Sequence, residues 1–404
     1  MTTIDSNPTS TPIRSIAENP RGTGDLIFVS MEQWDEIWRR NQFLCAAYAR
    51  RHPDRKVLFV APPVDVTNAI RRGRFSDFRG PRTWIVPEYP NITVTQPLKL
   101  APSTLAWGRH LNDAMTRSHV SKISKAAGIR DPILWLNPHW AAHMAGKMGE
   151  SAVIYDVTDD WTALTQGASS AELVLAQDAQ LCRRADAVIV CSKRLYDLKL
   201  PIARRVHLIP NGVDAGHYMK VIDGAGILPP EAAAWPRPVL GYTGTVHPDR
   251  VDFDLLASIA RKWPGSIVLI GPVHRKAALT ELHLPNLFLT GAVPYARLPD
   301  LMRAFDVCIV PHRVTLFTES LNPIKLWEYL AAGKPVVATD VAGFRDYPEL
   351  VRIASDADAF VAAARAGMNE DVALREARRR EARKHSWTSR VDAIEKVIES
   401  CTTH

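Results

Sequence analysis

Residues 321–340, LNPIKLWEYLAAGKPVVATD, run from a polar turn through a helical pattern into a short apolar strand. Asn322 suits a helix cap and Pro323 the first helical position, so a helix is expected over about 323–332. Gly333 closes it and Pro335 opens the strand. Lys325 and Glu328 then fall one turn apart on one side. Two readings compete for that pair. One is a surface ion pair worth about 0.2–0.5 kcal/mol. The other is a binding site, in which the free amides of Ile324 and Lys325 hold an anion at the helix start. Glu328 would then accept hydrogen bonds from a ribose diol.

Outward from this stretch, short apolar runs alternate with helical patterns. PVLGYTG (238–244), SIVLIG (266–271), NLFLTG (286–291), VCIVP (307–311), PVVATD (335–340) and VRIA (351–354) read as strands. Helices are expected near 252–262, 296–304 and 356–367. The same rhythm runs earlier, with strands at 25–30, 56–61, 92–95, 133–137, 152–156, 187–191 and 206–210. Runs this short, β-branched and apolar throughout belong to strands buried on both faces. Strand–helix alternation predicts an α/β chain of two Rossmann-like, doubly wound domains facing a cleft, with ligands beyond the C-terminal strand ends. The expected division is a flexible tail over 1–21, a first domain over 22–222, a Gly- and Pro-rich linker over 223–237, a second domain over 238–385 and a helix over 386–404 that packs back on the first domain.

The totals agree with two domains. The 404 residues are 46% hydrophobic and 23% charged, which suits a globular chain too long for one ordinary core. A net charge of +7 favours an anionic substrate or surface and is too diffuse to signal a nucleic-acid binder. Five scattered cysteines without a CxxC pair argue against a disulfide framework or zinc site and for a reducing compartment, the cytoplasm. The N-terminal stretch lacks a signal peptide's apolar run, and no segment has the apolar length of a membrane span.

The stretch KLWEYLAAGKPVVATD resembles the nucleotide-binding segment of GT-B glycosyltransferases of the family 4 kind. ADAVIVCSKRLYDLKL, VHLIPNGVDAGHY, VLGYTGTV, NLFLTGAVPYARLPDLMRAFDVCIVP and HSWTSRV are similar to the family in the same order across most of 185–390. DLIFVSMEQWDEIWRRNQFLCAAYA and VIYDVTDDWTAL look like a bacterial subgroup that builds teichuronic acid and exopolysaccharides. The resemblance implies a hexosyltransferase, retaining and metal-independent, that takes a nucleotide-diphosphate sugar as substrate with no resident cofactor. A glycan or lipid-linked acceptor is the implied partner.

Glu328 corresponds to the second glutamate of the family's E-x7-E signature and is implied to hold the donor ribose. The first glutamate falls at Ser320, with Glu319 one residue early and expected to serve from there. In YTGTVHPDR, Gly244 and Thr245 match the phosphate loop, and Arg250 joins Lys325 as a cation for the leaving diphosphate. Val293, in GAVPY, lies in the loop implied to be near the base, and Asn322 and Ile324 complete the donor set.

Candidates in the first half come from strand ends. Asp156, Asp159 and Asp160 cluster in YDVTDDW, where mutual repulsion would raise a carboxyl's pKa and suit a base. Helix capping explains Asp159 or Asp160 equally well. Glu32, Trp34 and Arg39 follow the first strand and are expected at the acceptor, together with Arg40, while Trp38 and Phe43 suit helix packing. His139 is an acceptor-side candidate; with His143 it has metal-pair spacing but no third ligand, so no metal is expected. RRGRFSDFRGPRTW (71–84) interleaves five arginines with aromatics, as a solvated loop or as a peripheral contact to an anionic membrane, here the inner face of the plasma membrane. Two rival functions remain: a nucleotide-sugar epimerase of the same architecture, and a non-catalytic sugar- or nucleic-acid-binding protein.

Overall fold

The computed structural model describes residues 24–71, 81–161, 168–223, 228–274 and 276–402. The expected tail, residues 72–80 of the arginine-aromatic stretch and residues 224–227 of the expected linker lie outside the described residues.

The first sheet has eight strands: β1 (Leu26–Val29), β2 (Val57–Val60), β4 (Arg82–Val86), β5 (Tyr89–Gln96), β7 (Ile133–Leu136), β8 (Ala152–Val157), β9 (Ala187–Val190) and β10 (Val206–Leu208). Their order across the sheet is 10-9-8-7-1-2-5-4, parallel except for β4 against β5. A two-stranded annex joins β3 (Val64–Asp65) to β6 (Leu98–Lys99). The antiparallel β4 and the annex were not legible in the sequence, because each is an edge element with little buried apolar surface. The second sheet has six parallel strands: β11 (Val239–Thr243), β12 (Ser266–Ile270), β13 (Leu287–Gly291), β14 (Val307–Val310), β15 (Val336–Ala338) and β16 (Arg352–Ile353). Its order is 13-12-11-14-15-16.

Both sheets are buried on both faces, and strand alternation sorts the residues. Phe28, Phe59 and Trp135 enter one core of the first sheet, while Val29, Val60 and Leu136 enter the other. In the second sheet Val268, Cys308 and Val336 face one side and Leu269, Ile309 and Val337 the other. Among its parallel strands each sheet reverses its order once, between β1 and β7 and between β11 and β14. Crevices for ligands form at such reversals.

The chain crosses between the domains twice, and the first crossing is not where the sequence placed it. Helix Ala215–Asp223, assigned to the first domain, buries Tyr218 and Val221 in a core of the second sheet. The first crossing is therefore near 210–213 rather than in 223–237. The second is near 384–386, between helices Val372–Arg383 and Trp387–Thr402. The last helix buries Trp387, Val391, Ile394 and Ile398 against the first domain, with Trp387 stacked on Phe43 at 4.9 Å. The two crossings run side by side: Val213 bridges Ser386, and its N–H donates to the His385 carbonyl at 2.8 Å.

Four cysteines, Cys45, Cys182, Cys191 and Cys308, are buried and unpaired, and Cys401 is partly exposed on the last helix. Among the described residues no helix is long and apolar enough to cross a membrane.

Candidate functional site

The two reversals face each other across a cavity of about 370 Å³, within the range of small-ligand sites. Met31 and Asn137 reach it from beyond β1 and β7, and Gly244 and His312 from beyond β11 and β14.

The second domain supplies helix Ile324–Ala331. Its apolar face, Leu326, Trp327, Tyr329 and Leu330, is buried in the core, which leaves Lys325 and Glu328 on the cavity side. Gly333 ends it with φ +65°, its N–H bonded to the Leu330 carbonyl. The Thr243 N–H donates to the Tyr329 hydroxyl at 2.8 Å, fastening the helix to the end of β11. The expected cap is different: Pro323, in extended conformation, occupies the N-cap. Asn322 instead crosses to the first domain, its side-chain oxygen accepting from the Asn211 N–H at 2.8 Å. The Asn211 side-chain amide in turn donates to the Asn322 carbonyl.

The Lys325–Glu328 pair is not a surface bridge, since each has its own buried partner. Lys325 Nζ donates to the Tyr242 hydroxyl at 2.8 Å and lies 4.3 Å over that ring. Glu328, 9% exposed, accepts from the Tyr218 hydroxyl at 2.8 Å on Oε1. Burial and the nearby Arg250 press the Lys325 amine down to about 7, against the opposing pull of Glu328. Burial raises the Glu328 carboxyl, against the Tyr218 hydrogen bond and Lys325. Gly244 has φ +120°, and a Cβ there would stand 3.2 Å from Lys325 Nζ, so the glycine leaves room for the amine.

Thr245, Arg250, Val293, Asn322 and Ile324 also line the cavity, as do Glu32, Arg39 and Asp159 from the first domain. Glu32 Oε2 is enclosed without a hydrogen-bond partner, and Arg39 stands 3.8 Å from Oε1. Burial lifts the Glu32 carboxyl to about 7, opposed by Arg39 and assisted by Asp159. Burial also raises Asp159, against Arg250 and a hydrogen bond from Thr158. The cause is desolvation rather than the mutual repulsion of three aspartates.

Four expected site residues lie elsewhere. Asp156 is fully buried behind the cavity, where Arg40 grips both its oxygens at 3.0 and 3.1 Å. It is an ion-pair partner rather than a base. Arg40 lines the cavity yet is committed to Asp156 and to Asn211. Trp34 packs edge-on against Phe59 and Trp38. Trp38, read as packing, lines the cavity, as does Trp161, and stacks on Tyr295 across the domains. His139 bonds Gln177 at 2.9 Å away from the cleft. Glu319 makes a two-point pair with Arg345 at 2.7 and 2.9 Å, facing a groove on the other side of the interdomain contact. Ser320 is buried there, its hydroxyl accepting from the Asp160 N–H at 3.3 Å.

Sequence reasoning missed Tyr218, Tyr242, Tyr295 and His312. Nothing in the sequence separates these tyrosines from ordinary core aromatics. His312 had one signal, its place just beyond an apolar strand of the second sheet. Among the described residues no group of three or more His, Cys, Asp or Glu is arranged to hold a metal ion.

One family model, described as glycosyl transferases group 1, matches residues 237–370, which span the second sheet. A chain of Bacillus subtilis named as a teichuronic acid biosynthesis glycosyltransferase, TuaH, is 30% identical over 258 residues, 58% of this chain and 64% of that one. A GDP-mannose-dependent alpha-mannosyltransferase of Mycolicibacterium smegmatis is 28% identical over 141 residues, 34% of this chain and 36% of that one. The matches thus span just under two thirds of the first relative's length and about a third of the second's. Among solved structures, sucrose-phosphate synthase from Thermosynechococcus elongatus superposes with TM-score 0.69 at 14% identity, covering 94% of this chain and 99% of that one. HepE of Anabaena in complex with UDP-glucose superposes with TM-score 0.67 at 14% identity, covering 94% and 100%. The fold is GT-B.

Proposed function

We propose that the chain is a glycosyltransferase that moves a sugar from a nucleotide-diphosphate sugar to a glycan or lipid-linked acceptor in cell-surface polysaccharide synthesis. The observation that carries this is the helix Ile324–Ala331, which opens on the interdomain cavity with Lys325 half-buried and Glu328 buried on the cavity side. A diphosphate fits at the helix start, where the first amides have no partners inside the helix. Lys325 and Arg250 supply formal charge there. Glu328, held by Tyr218 through one oxygen, offers the other to a ribose hydroxyl. The donor class rests on the names of the relatives, one GDP-mannose-dependent and one bound to UDP-glucose.

In this reading the bond from the anomeric carbon to the diphosphate breaks, and its electron pair leaves with the phosphate oxygen. Lys325, Arg250 and the helix amides stabilise that charge. The acceptor hydroxyl oxygen bonds to the anomeric carbon, and its proton passes to a departing phosphate oxygen, with configuration retained. The commitment of Asp156 to Arg40 supports this over a base at that position. The charge supplied by these cations supports a reaction without a metal or other resident cofactor. Glu32, Arg39 and Asp159 face the donor residues and are assigned to the acceptor.

Glu328→Ala should weaken binding of UDP or GDP, whichever the wild type prefers, by about 10- to 100-fold while the chain stays folded. Calorimetric titration of both proteins with both nucleotides checks this. Unchanged affinity would remove the ribose assignment. Consumption of a sugar nucleotide with no acceptor present would favour the epimerase instead.

We place the reaction in the cytoplasm, at an anionic membrane face. Five unpaired cysteines support the compartment. The membrane contact is supported by Ile70, Leu100, Leu105, Trp107 and Leu111, all exposed, beside the exposed Arg71. Helices Val66–Arg71 and Ala106–Ala126 bring them together by packing on β6. Co-sedimentation with vesicles of mixed neutral and anionic lipid should fall about tenfold when Leu105, Trp107 and Leu111 are changed to Ser. Equal partitioning of both proteins would remove the surface from the reading.

A further inference from the structure

Behind Lys325 lies a polar chain that the reading above leaves without a role. Tyr242, the fourth residue of β11, presents its hydroxyl oxygen to Lys325 Nζ at 2.8 Å. The same oxygen lies 3.2 Å from His312 Nε2 and 3.2 Å from the Thr245 carbonyl. The backbone of His312, a residue 3% exposed, is fixed in turn: its main-chain N–H donates to the Val310 carbonyl at 3.0 Å and to the Thr339 hydroxyl at 3.1 Å. Thr339 also donates to the His312 carbonyl at 2.7 Å. The chain therefore ties the ends of β11 and β14, the two strands that flank the reversal, to one lysine amine.

The proton inventory fixes the direction. Burial, with Lys325 and Arg250 beside it, holds the His312 ring far below its ordinary value, so it is neutral. The single Tyr242 proton points to His312 Nε2 or to the Thr245 carbonyl. Either way an oxygen lone pair is left for Lys325. The tyrosine ring lies under the amine, and Gly244 removes the side chain that would compete with it.

We infer that Tyr242 and His312 are positioning residues that hold the Lys325 amine above Gly244, aimed at the leaving diphosphate. This rests on the assignment of Lys325 to that diphosphate. A lysine has many rotamers, and a fixed acceptor beneath the amine removes that freedom before the substrate arrives. Charged and titratable groups face the amine from every side: Arg250 from the loop after β11, Tyr242 from β11, His312 from beyond β14, and Glu328 from its own helix. An arriving diphosphate adds further negative charge beside the amine, so binding draws a proton onto Lys325.

The test is calorimetric titration with UDP and GDP between about pH 6 and 9, in two buffers of different ionisation heat. Wild type should take up a proton near neutral pH and lose affinity as pH rises. Tyr242→Phe keeps the ring and removes the oxygen. It should bind about tenfold more weakly and lose affinity from a lower pH. His312→Ala should do the same, and His312→Gln, which restores an acceptor near the hydroxyl, should recover most of that loss. In a Lys325→Ala background, Tyr242→Phe should cost nothing further. Equal losses from Tyr242→Phe in both backgrounds, or an unmoved pH profile with Lys325 still required, would overturn the positioning role alone. Wild-type affinity in Lys325→Ala itself would overturn both this role and the diphosphate assignment.

Discussion

Asp156 and Asp159 are three residues apart and differ completely in what they can do. Asp156 lies within β8 on the face turned to helix Arg40–Arg51, where Arg40 meets it. Asp159 lies past the strand, where the chain is free to turn toward the cleft. Residue types showed that carboxylates gather here; the side each faces depends on where β8 ends, which one sequence fixes only to within a few residues. Trp34 and Trp38 exchanged their expected places for a related reason. The helix starts only at Arg40, so residues 31–39 form a loop whose facing no helical period describes. Glu32 sits in that loop, and its sign in a pH titration follows from its surroundings. Its carboxyl is held at about 7 from an ordinary 4.5. Between those values the folded chain keeps a proton that the unfolded chain has released, so stability falls as pH rises through that window. Glu32→Gln removes this dependence. The urea midpoint of the variant should therefore gain on wild type from about pH 4.5 to 7, then run level above it.

The helix at 324–331 was legible because two independent signals agree: its apolar spacing and the Gly-Lys-Pro that ends it. The turn before it was not. Residues 318–320 form a single tight turn, too short to have a period, and it swings Glu319 to Arg345. The missing first glutamate is thus a matter of facing as well as of position. The last helix shows how much one element can contribute across a boundary. Trp387 is 5% exposed and stacked on Phe43, where the last helix returns to the first domain. Trp387→Ala should cost about 3–5 kcal/mol, read as a lower denaturant midpoint for the first domain. A loss under about 1 kcal/mol would mean that the helix contributes little to that core.

At the scale of the whole molecule, strand alternation gave both sheets and the cleft, since strands buried on two faces leave little choice of architecture. The crossings were less visible. Gly and Pro mark 223–237 as loop, yet the fate of helix Ala215–Asp223 depends on Tyr218, whose hydroxyl seeks Glu328 in the other half of the chain. The double crossing is tight. A Cβ on Gly212 would stand 3.0 Å from the Trp387 ring and its backbone nitrogen, and 3.1 Å from Ser386. These neighbours include backbone, so they cannot give way cheaply. Gly212→Ala should destabilise by about 1–3 kcal/mol and alter the relative angle of the lobes. Small-angle scattering with and without nucleotide should then show a different change in radius of gyration from wild type. An identical change, with wild-type stability, would place the pivot elsewhere.

The uneven burial of the thiols gives this protein a handle for optical spectroscopy. Cys401 sits on the last helix, which packs on the first domain, while Cys45, Cys182, Cys191 and Cys308 are shielded by the cores. A maleimide dye should react at Cys401 first without prior removal of the others. A second dye on an introduced surface thiol of the other lobe would turn each opening and closing into a change in energy transfer, followed one molecule at a time.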